Sequence, residues 1–143
     1  VNLARKVIIT GDHEDFDTTK IGLHTIGGYG GEMAVEYARV EYCGQRDRLG
    51  KYCLHWHVLS TCPSCSFRGN AIVDSHQKGI TIHATHGALV ESNVMFNVRG
   101  VGIYVEDGNE MKNVIKENVM MCQSLATCQI QEESGIYMTG MTN

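Results

Sequence analysis

The stretches GNAIVDSHQKGITIHATHG (residues 69–87) and SNVMFNVRGVGIYVEDGNE (residues 92–110) decide the fold, because they repeat one pattern. Asn70 in the first matches Asn93 in the second, 23 residues later. Both stretches are short runs with apolar residues at every second position, interrupted by Gly, Asn and Asp, which is typical of strands and turns. A recurrence near 23 residues without helical periodicity predicts coils of a parallel β-helix. Chance similarity among β-rich segments, or a sandwich of evenly spaced strands, is the alternative.

The pattern extends in both directions along the chain. The segment 80–83 (ITIH) matches 103–106 (IYVE), and the segments 54–57 (LHWH) and 136–139 (IYMT) take the same place upstream and downstream. The recurrence predicts an all-β solenoid of about five coils, with residues 1–143 forming a single β-helix segment. Asn70, Asn93 and Asn118 recur at turns and predict a buried asparagine ladder, in which each amide bonds to the next coil.

The alternation within the four matched strands predicts which side chains are buried, because neighbouring residues of a strand point to opposite faces. The apolar positions should fill the interior: Leu54, Trp56, Ile80, Ile82, Ile103, Val105, Ile136 and Met138. Two columns should face outward, His55, Thr81, Tyr104 and Tyr137 in one, and His57, His83, Glu106 and Thr139 in the other.

Composition limits the functional classes. The formal net charge of −4 gives no basic surface for nucleic acid. No apolar run approaches the roughly 20 residues of a membrane span, so we expect no membrane insertion by this segment. The even number of cysteines, six, favours structural disulfides formed in the secretory pathway. Cys62–Cys65 and Cys122–Cys128 would each close a local loop; a redox or zinc knuckle at Cys62–Cys65 is the alternative.

The outward column of His57, His83 and Glu106 is the candidate site, because equivalent positions on successive coils place two imidazoles and a carboxylate in line. His57 and His83 would share a zinc-like ion, with Glu106 as a third ligand or a general base. His86 would complete the ligand set, with His55 and Asp107 close by. The alternative is that these positions are polar because they meet water.

Carbohydrate chemistry gives a second interpretation of the same face. Glu106 and Asp107 would act together as a pair of catalytic acids only if Asp107 has already entered a turn. Tyr104 and Tyr137, with His55 beside them, would form a glycan-binding surface on which sugar rings stack; the β-propensity of tyrosine is the alternative. The acidic loop GDHEDFD (residues 11–17) would either bind Ca²⁺ or form a solvated turn.

The segments GKYCLHWHVL (50–59), SFRGNAIVDSHQKGITIHATHGALVESNVMFNV (66–98) and GIYVEDGNE (102–110) resemble the β-helix region of a known family. Its members include the cell-migration-inducing hyaluronan-binding protein, the transmembrane cell-surface hyaluronidase, fibrocystin and fibrocystin-L. The resemblance implies a right-handed parallel β-helix within a longer extracellular or cell-surface protein. Cys53 stands where the family's RYPxHFH pattern has proline, and Trp56 where it has the phenylalanine, which indicates a distant relative.

Two functions follow as hypotheses. The first is an extracellular or cell-surface module with a structural or adhesive role, which binds a polysaccharide or a protein on its outer face. The second is a glycan-depolymerising, hyaluronidase-like hydrolase that uses His57, His83, Glu106 and Asp107, with a divalent metal (Zn²⁺ or Ca²⁺) as the expected cofactor. We also expect further coils or neighbouring chains to cover both ends, because an uncapped β-helix leaves its strand edges and core open.

Overall fold

The computed structural model describes residues 5–124 and 136–138. These residues form thirteen strands and one short helix. The elements are β1 (Val7–Thr10), α1 (Phe16–Thr19), β2 (Ala34–Glu36), β3 (Ala38–Cys43), β4 (Leu54–Thr61), β5 (Ser66–Arg68), β6 (Ala71–Ser75), β7 (Ile80–His86), β8 (Leu89–Glu91), β9 (Val94–Val98), β10 (Ile103–Val105), β11 (Val114–Lys116), β12 (Val119–Met121) and β13 (Ile136–Met138). None of the described helices is long and apolar enough to cross a membrane.

The strands form three parallel sheets, and successive strands of one sheet are mostly three elements apart along the chain. The orders are β1-β3-β6-β9-β12, β13-β10-β7-β4 and β11-β8-β5-β2. Ile80 lies opposite Ile103 on adjacent parallel strands, so the predicted register of these two segments is confirmed. The chain is therefore all-β with the sheet arrangement of a parallel β-helix. The right hand, the five coils and a recurrence near 23 residues remain predictions.

The register of the four aligned segments is also confirmed in the sheet of β4, β7, β10 and β13. Trp56 pairs with Ile82, Ile82 with Val105, and Val105 with Met138. The predicted interior side chains from β4, β7 and β10 are all buried. In contrast, Ile136 and Met138 on the outermost strand are exposed. The predicted outward residue Thr139 lies outside the described residues.

Trp56 packs between two of the sheets. Its ring stacks on Phe67 of β5 with 3.9 Å between centroids and an interplanar angle of 7°. The indole Nε1 donates a hydrogen bond to the Met33 carbonyl at 3.0 Å, which satisfies the one polar atom of a buried tryptophan. The core therefore joins the sheets into one apolar cluster.

The predicted asparagine ladder is confirmed. Asn70 Nδ2 donates to Asn93 Oδ1 at 3.0 Å, and Asn93 Nδ2 donates to Asn118 Oδ1 at 2.9 Å. The residue before each ladder asparagine is left-handed: Gly69, Ser92 and Glu117 have φ of +62°, +55° and +58°. The chain turns sharply there, and the buried amides bond to the backbone groups that the turn leaves unpaired.

Two disulfides fix loops beside the sheets. Cys62–Cys65 closes a loop of three residues, as predicted, and Cys43–Cys53 closes one of ten. The predicted Cys122–Cys128 pair lies outside the described residues, because Cys128 is not among them. The sequence left the pairing of Cys43 and Cys53 open; this bond ties the end of β3 to the start of β4.

The acidic loop of residues 11–17 contains an anchor that the sequence did not reveal. Phe16 at the start of α1 is buried against the ring of His76, with 4.0 Å between centroids. Asp17 lies 3.3 Å from His76 Nε2 and 3.3 Å from an Arg99 guanidinium nitrogen. One acid of the loop thus pairs with the Arg99 guanidinium and contacts the His76 ring, while Ca²⁺ binding by the loop stays a prediction.

Candidate functional site

The candidate site lies on the outer side of the sheet β4-β7-β10-β13, where three neighbouring strands bring four predicted side chains together. His57 of β4 pairs directly with His83 of β7. Glu106 follows the last residue of β10, and its N–H donates to the Ile82 carbonyl at 3.0 Å. Strand pairing therefore places His57, His83 and Glu106 on successive strands, as their alignment predicts. We call these three residues and Asp107 the outer-face cluster.

His83 is the centre of this cluster. Its Nδ1 lies 2.9 Å from His57 Nδ1 and 3.7 Å from Glu106 Oε2. Its Nε2 lies 3.1 Å from Asp107 Oδ2. Both ring nitrogens therefore have partners, which fixes the orientation of the imidazole.

Asp107 joins the cluster because the strand ends before it. β10 ends at Val105, and Gly108 adopts a left-handed φ of +77° that reverses the chain. In a continuous strand Glu106 and Asp107 would point to opposite faces; the turn instead lets both carboxylates reach His83. Asp107 has therefore entered a turn, which is the condition under which Glu106 and Asp107 could act as a pair of acids.

Glu110 holds this turn in place and was missed in the sequence. Its Oε1 accepts hydrogen bonds from the N–H groups of Asp107 and Ala84, at 3.1 and 3.0 Å. It therefore ties the turn after β10 to the middle of β7. The only available signal was an acid three residues after Asp107, a spacing that is typical of local side-chain to backbone bonds.

Glu106 is half-buried in a mixed electrostatic environment. Burial raises the pKa of its carboxyl, while His83 and Lys78 act in the opposite direction. A carboxylic acid with a raised pKa retains its proton closer to neutral pH, which suits a general acid.

His55 corrects the predicted outward column. Its side chain is only 1% exposed, and Thr81 beside it is completely buried, so the expectation that both face solvent is wrong. The loop closed by Cys43–Cys53 covers His55: the Tyr52 ring lies 4.9 Å away, and the Gly50 carbonyl is 3.1 Å from Nδ1. A glycan therefore cannot reach His55 here. Burial also lowers the pKa of His55 to about 4.

Tyr104 and Tyr137 occupy the same column further along the sheet. Their rings stack with 5.6 Å between centroids and an interplanar angle of 19°. The ammonium of Lys78 lies 4.4 Å from the centroid of the Tyr104 ring. Tyr104 is half-buried and Tyr137 is exposed, so the pair offers an aromatic surface beside Glu106.

His86 lies apart from the other predicted ligands. It pairs with Thr61 beyond the irregularity between His57 and Ser60, and its Nδ1 accepts a hydrogen bond from the Met111 N–H at 3.0 Å. The left-handed Ala84, with φ of +43°, bends β7 between His83 and His86. The structure instead brings His55 to His57 and His83, and one ring nitrogen of each lies within 4.8 Å of the others.

Comparison with known proteins identifies the family. The model of the CEMIP beta-helix matches residues 20–142. The chain belongs to this family. Fibrocystin-L of Mus musculus is 36% identical over 100 residues, which is 69% of this chain and 2% of that protein. A G8 domain-containing protein of Dictyostelium discoideum is 31% identical over 118 residues, 82% of this chain and 8% of that protein.

The human Fibrocystin-L matches similarly, at 35% identity over 69% of this chain and 2% of its own length. The chain thus spans a small part of the length of these relatives. No solved structure shows a significant match. The predicted resemblance to this family is confirmed.

Proposed function

We propose that this CEMIP beta-helix chain is an extracellular or cell-surface module that binds a polysaccharide on the outer side of the sheet β4-β7-β10-β13. The observation that carries the proposal is the stacked pair Tyr104–Tyr137 beside the outer-face cluster on one sheet. Aromatic rings provide apolar surfaces for sugar faces. Carboxylates accept hydrogen bonds from sugar hydroxyls, and imidazoles can either accept or donate them.

Strand spacing supports an extended ligand. Parallel strands repeat about every 4.8 Å, so four strands present polar and aromatic groups along a line of roughly 15 Å. A linear polysaccharide can contact several such rungs at once. A rigid solenoid also suits a structural or adhesive role, since each coil holds the next in register.

The cysteines support an extracellular location. Both described disulfides are buried, and disulfides form and persist in oxidising compartments. Membership of the same family as the fibrocystin-L relatives points the same way.

Binding of hyaluronan oligosaccharides, measured by calorimetry, tests the proposal. Tyr104→Ala and Tyr137→Ala should each weaken binding about fivefold, because an aromatic contact contributes roughly 1 kcal/mol. Tyr37→Ala is the matched control: Tyr37 is 56% exposed at the turn between β2 and β3, away from this sheet. Equal loss in all three variants, or no binding by the unaltered chain to hyaluronan or other glycosaminoglycans, would contradict the proposal.

A second candidate, glycan hydrolysis, is favoured by the contact between His83 and two carboxylates together with the raised pKa of Glu106. In this candidate Glu106 protonates the leaving oxygen, and Asp107, oriented by its contact with His83, accepts the proton that the attacking water loses. A carboxylate that activates a water lies about 6.5–9.5 Å from the general acid, because that distance leaves room for the water.

Measuring the chain length of hyaluronan over time, during incubation with the protein, tests this candidate. Glu106→Gln should slow depolymerisation by about 10² to 10⁴, the usual contribution of a general acid. Glu14→Gln, an exposed acid in the loop before α1, is the control. Hyaluronan that is bound but stays intact with the unaltered chain would leave the binding proposal standing and reject hydrolysis.

A further inference from the structure

Three imidazoles converge on one side of the sheet β4-β7-β10-β13, and the loop of residues 44–53 covers one of them, His55. The centroid of the His57 ring lies 5.1 Å from that of His55 and 4.7 Å from that of His83. One ring nitrogen of each of the three lies within 4.8 Å of the others. Glycan binding on the outer face leaves His55 without a role, yet it is among the largest fully buried side chains.

The nitrogens that face away from this group already have oxygen partners. His55 Nδ1 lies 3.1 Å from the Gly50 carbonyl, and His83 Nε2 lies 3.1 Å from an Asp107 carboxylate oxygen. Metal-ligating histidines characteristically donate the N–H of their second nitrogen to a carbonyl or a carboxylate, which orients the ring and fixes its tautomer. Two of the three rings therefore have the outer partners of metal ligands.

His55 Nε2 is the decisive atom. With the Nδ1 proton donated to Gly50, Nε2 carries a lone pair, and it is buried without a hydrogen-bond partner. A buried acceptor without a partner is destabilising, so native proteins rarely retain one without a reason. A cation between the three rings would satisfy it.

We propose that His55 Nε2, His57 Nδ1 and His83 Nδ1 bind one divalent transition-metal ion, with Zn²⁺ as the best candidate. Three imidazoles and an open position are a known donor set of catalytic zinc, whereas Ca²⁺ requires six to eight oxygen ligands. Glu106 Oε2 lies 3.7 Å from His83 Nδ1, one of the three proposed ligand atoms. This set replaces His86 with His55.

Binding requires a small rearrangement. At 2.9 Å, the His57 and His83 Nδ1 atoms share one proton, which His57 carries if His83 donates from Nε2 to Asp107. Metal binding moves the His57 proton to its own Nε2, so both Nδ1 lone pairs are available and each imidazole stays neutral. With metal–nitrogen distances of about 2.0–2.1 Å in a tetrahedron, the two atoms separate by roughly another 0.5 Å.

Zinc titration of the metal-stripped chain without any glycan, with elemental analysis after dialysis, tests the proposal. The unaltered chain should bind one equivalent of Zn²⁺. His57→Ala should bind at least about tenfold more weakly, because loss of an outer partner alone weakens metal binding 10- to 100-fold. Asp107→Asn, which removes the carboxylate behind His83, should fall within that 10- to 100-fold range.

His13→Ala is the matched control, an exposed histidine near Tyr42 that should bind Zn²⁺ as the unaltered chain does. His55→Ala tests the buried ligand, and circular dichroism shows whether this variant folds. If it does not fold, His57→Ala gives an independent answer, because His57 is partly exposed. Visible absorption of bound Co²⁺ reports nitrogen coordination directly. Equal Zn²⁺ affinity in His57→Ala and His13→Ala would overturn the proposal, as would full loss in His86→Ala with none in His57→Ala.

The centre lies on the proposed glycan-binding face but does not depend on glycan binding. Hyaluronan binding measured with and without a chelator separates the two. A chain that binds Zn²⁺ but no glycan would retain the metal centre and reject the proposed function. A chain that binds the glycan but no Zn²⁺ would retain the proposed function and reject the metal centre.

Discussion

Asn93 is a buried side chain whose hydrogen-bonding capacity is completely used. Its Oδ1 accepts from both the backbone N–H and the side-chain amide of Asn70, at 3.0 Å each. Its Nδ2 donates to the Phe67 carbonyl and to Asn118 Oδ1. Asn93→Ala should therefore lower the free energy of unfolding by about 2–4 kcal/mol, because it leaves several buried groups without partners. Urea denaturation measures the loss.

Asn97→Ala is the matched control for this change. Asn97 is a partly exposed asparagine on the same strand, and its Nδ2 donates to Asp74 at 3.1 Å. Water can take over the bonds that are lost, but Asn97 has a left-handed φ of +54°, which alanine adopts less readily than asparagine, so its replacement should cost about 1 kcal/mol and less than the loss at Asn93. Equal losses at the two positions would mean that the ladder adds nothing beyond an ordinary surface amide.

His76 makes stability depend on pH. Burial and the adjacent Arg99 guanidinium lower the pKa of its imidazole to about 4, against about 6.5 in an unfolded chain. Between pH 6.5 and 4 the unfolded chain binds more protons, so this contribution to stability is present above pH 6.5 and is lost as the pH falls. The free energy of unfolding should decrease on acidification, and His76→Asn should remove on the order of 2 kcal/mol of that decrease.

Urea denaturation at pH 7 and at pH 4.5 measures the slope. His55 contributes in the same direction, so the comparison is the difference between the unaltered chain and His76→Asn. An identical pH dependence in the two proteins would show that His76 is not protected from protonation by the fold.

At the scale of the element, the strands were predictable from the sequence, whereas the loop that covers them was not. Alternating residues fix the register of β4, β7 and β10, because a slip of one residue would expose Trp56 and its neighbours. The burial of His55 depends on where the loop of residues 44–53 lies. That position follows from the Cys43–Cys53 bond, and the sequence alone allows fifteen pairings of six cysteines.

This loop gives a prediction about its disulfide. Cys43→Ala/Cys53→Ala should lower the free energy of unfolding by about 2–3 kcal/mol, because the bond closes ten residues in the unfolded chain. The shorter Cys62–Cys65 loop, of three residues, should contribute only about 1.5 kcal/mol. Urea denaturation of the two double variants compares them. A larger loss from the Cys62–Cys65 pair would contradict the chain-entropy account.

At the scale of the whole molecule, the site follows from the stacking of strands. The sequence repeat predicts that His57, His83 and Glu106 lie in line, because equivalent positions of a repeat become neighbours. It places Asp107 beside them only on the condition that β10 ends before this residue, and it does not predict Glu110, which bonds the backbone of that turn. Both positions depend on the local turn after β10, in which Gly108 has a left-handed φ of +77°.

The fluorescence of Trp56 can report whether the molecule unfolds cooperatively, because Trp56 is the only tryptophan and lies in the core between two sheets. One connected apolar cluster links β3 through β10, so we expect these strands to unfold together. The red shift of tryptophan fluorescence and the loss of far-ultraviolet circular dichroism should then share one urea midpoint. Repeat proteins whose neighbouring units are weakly coupled lose cooperativity instead. A fluorescence midpoint below that of circular dichroism would show that the region around β4 unfolds before the later coils, which would place the outer-face cluster at a boundary between independently stable parts.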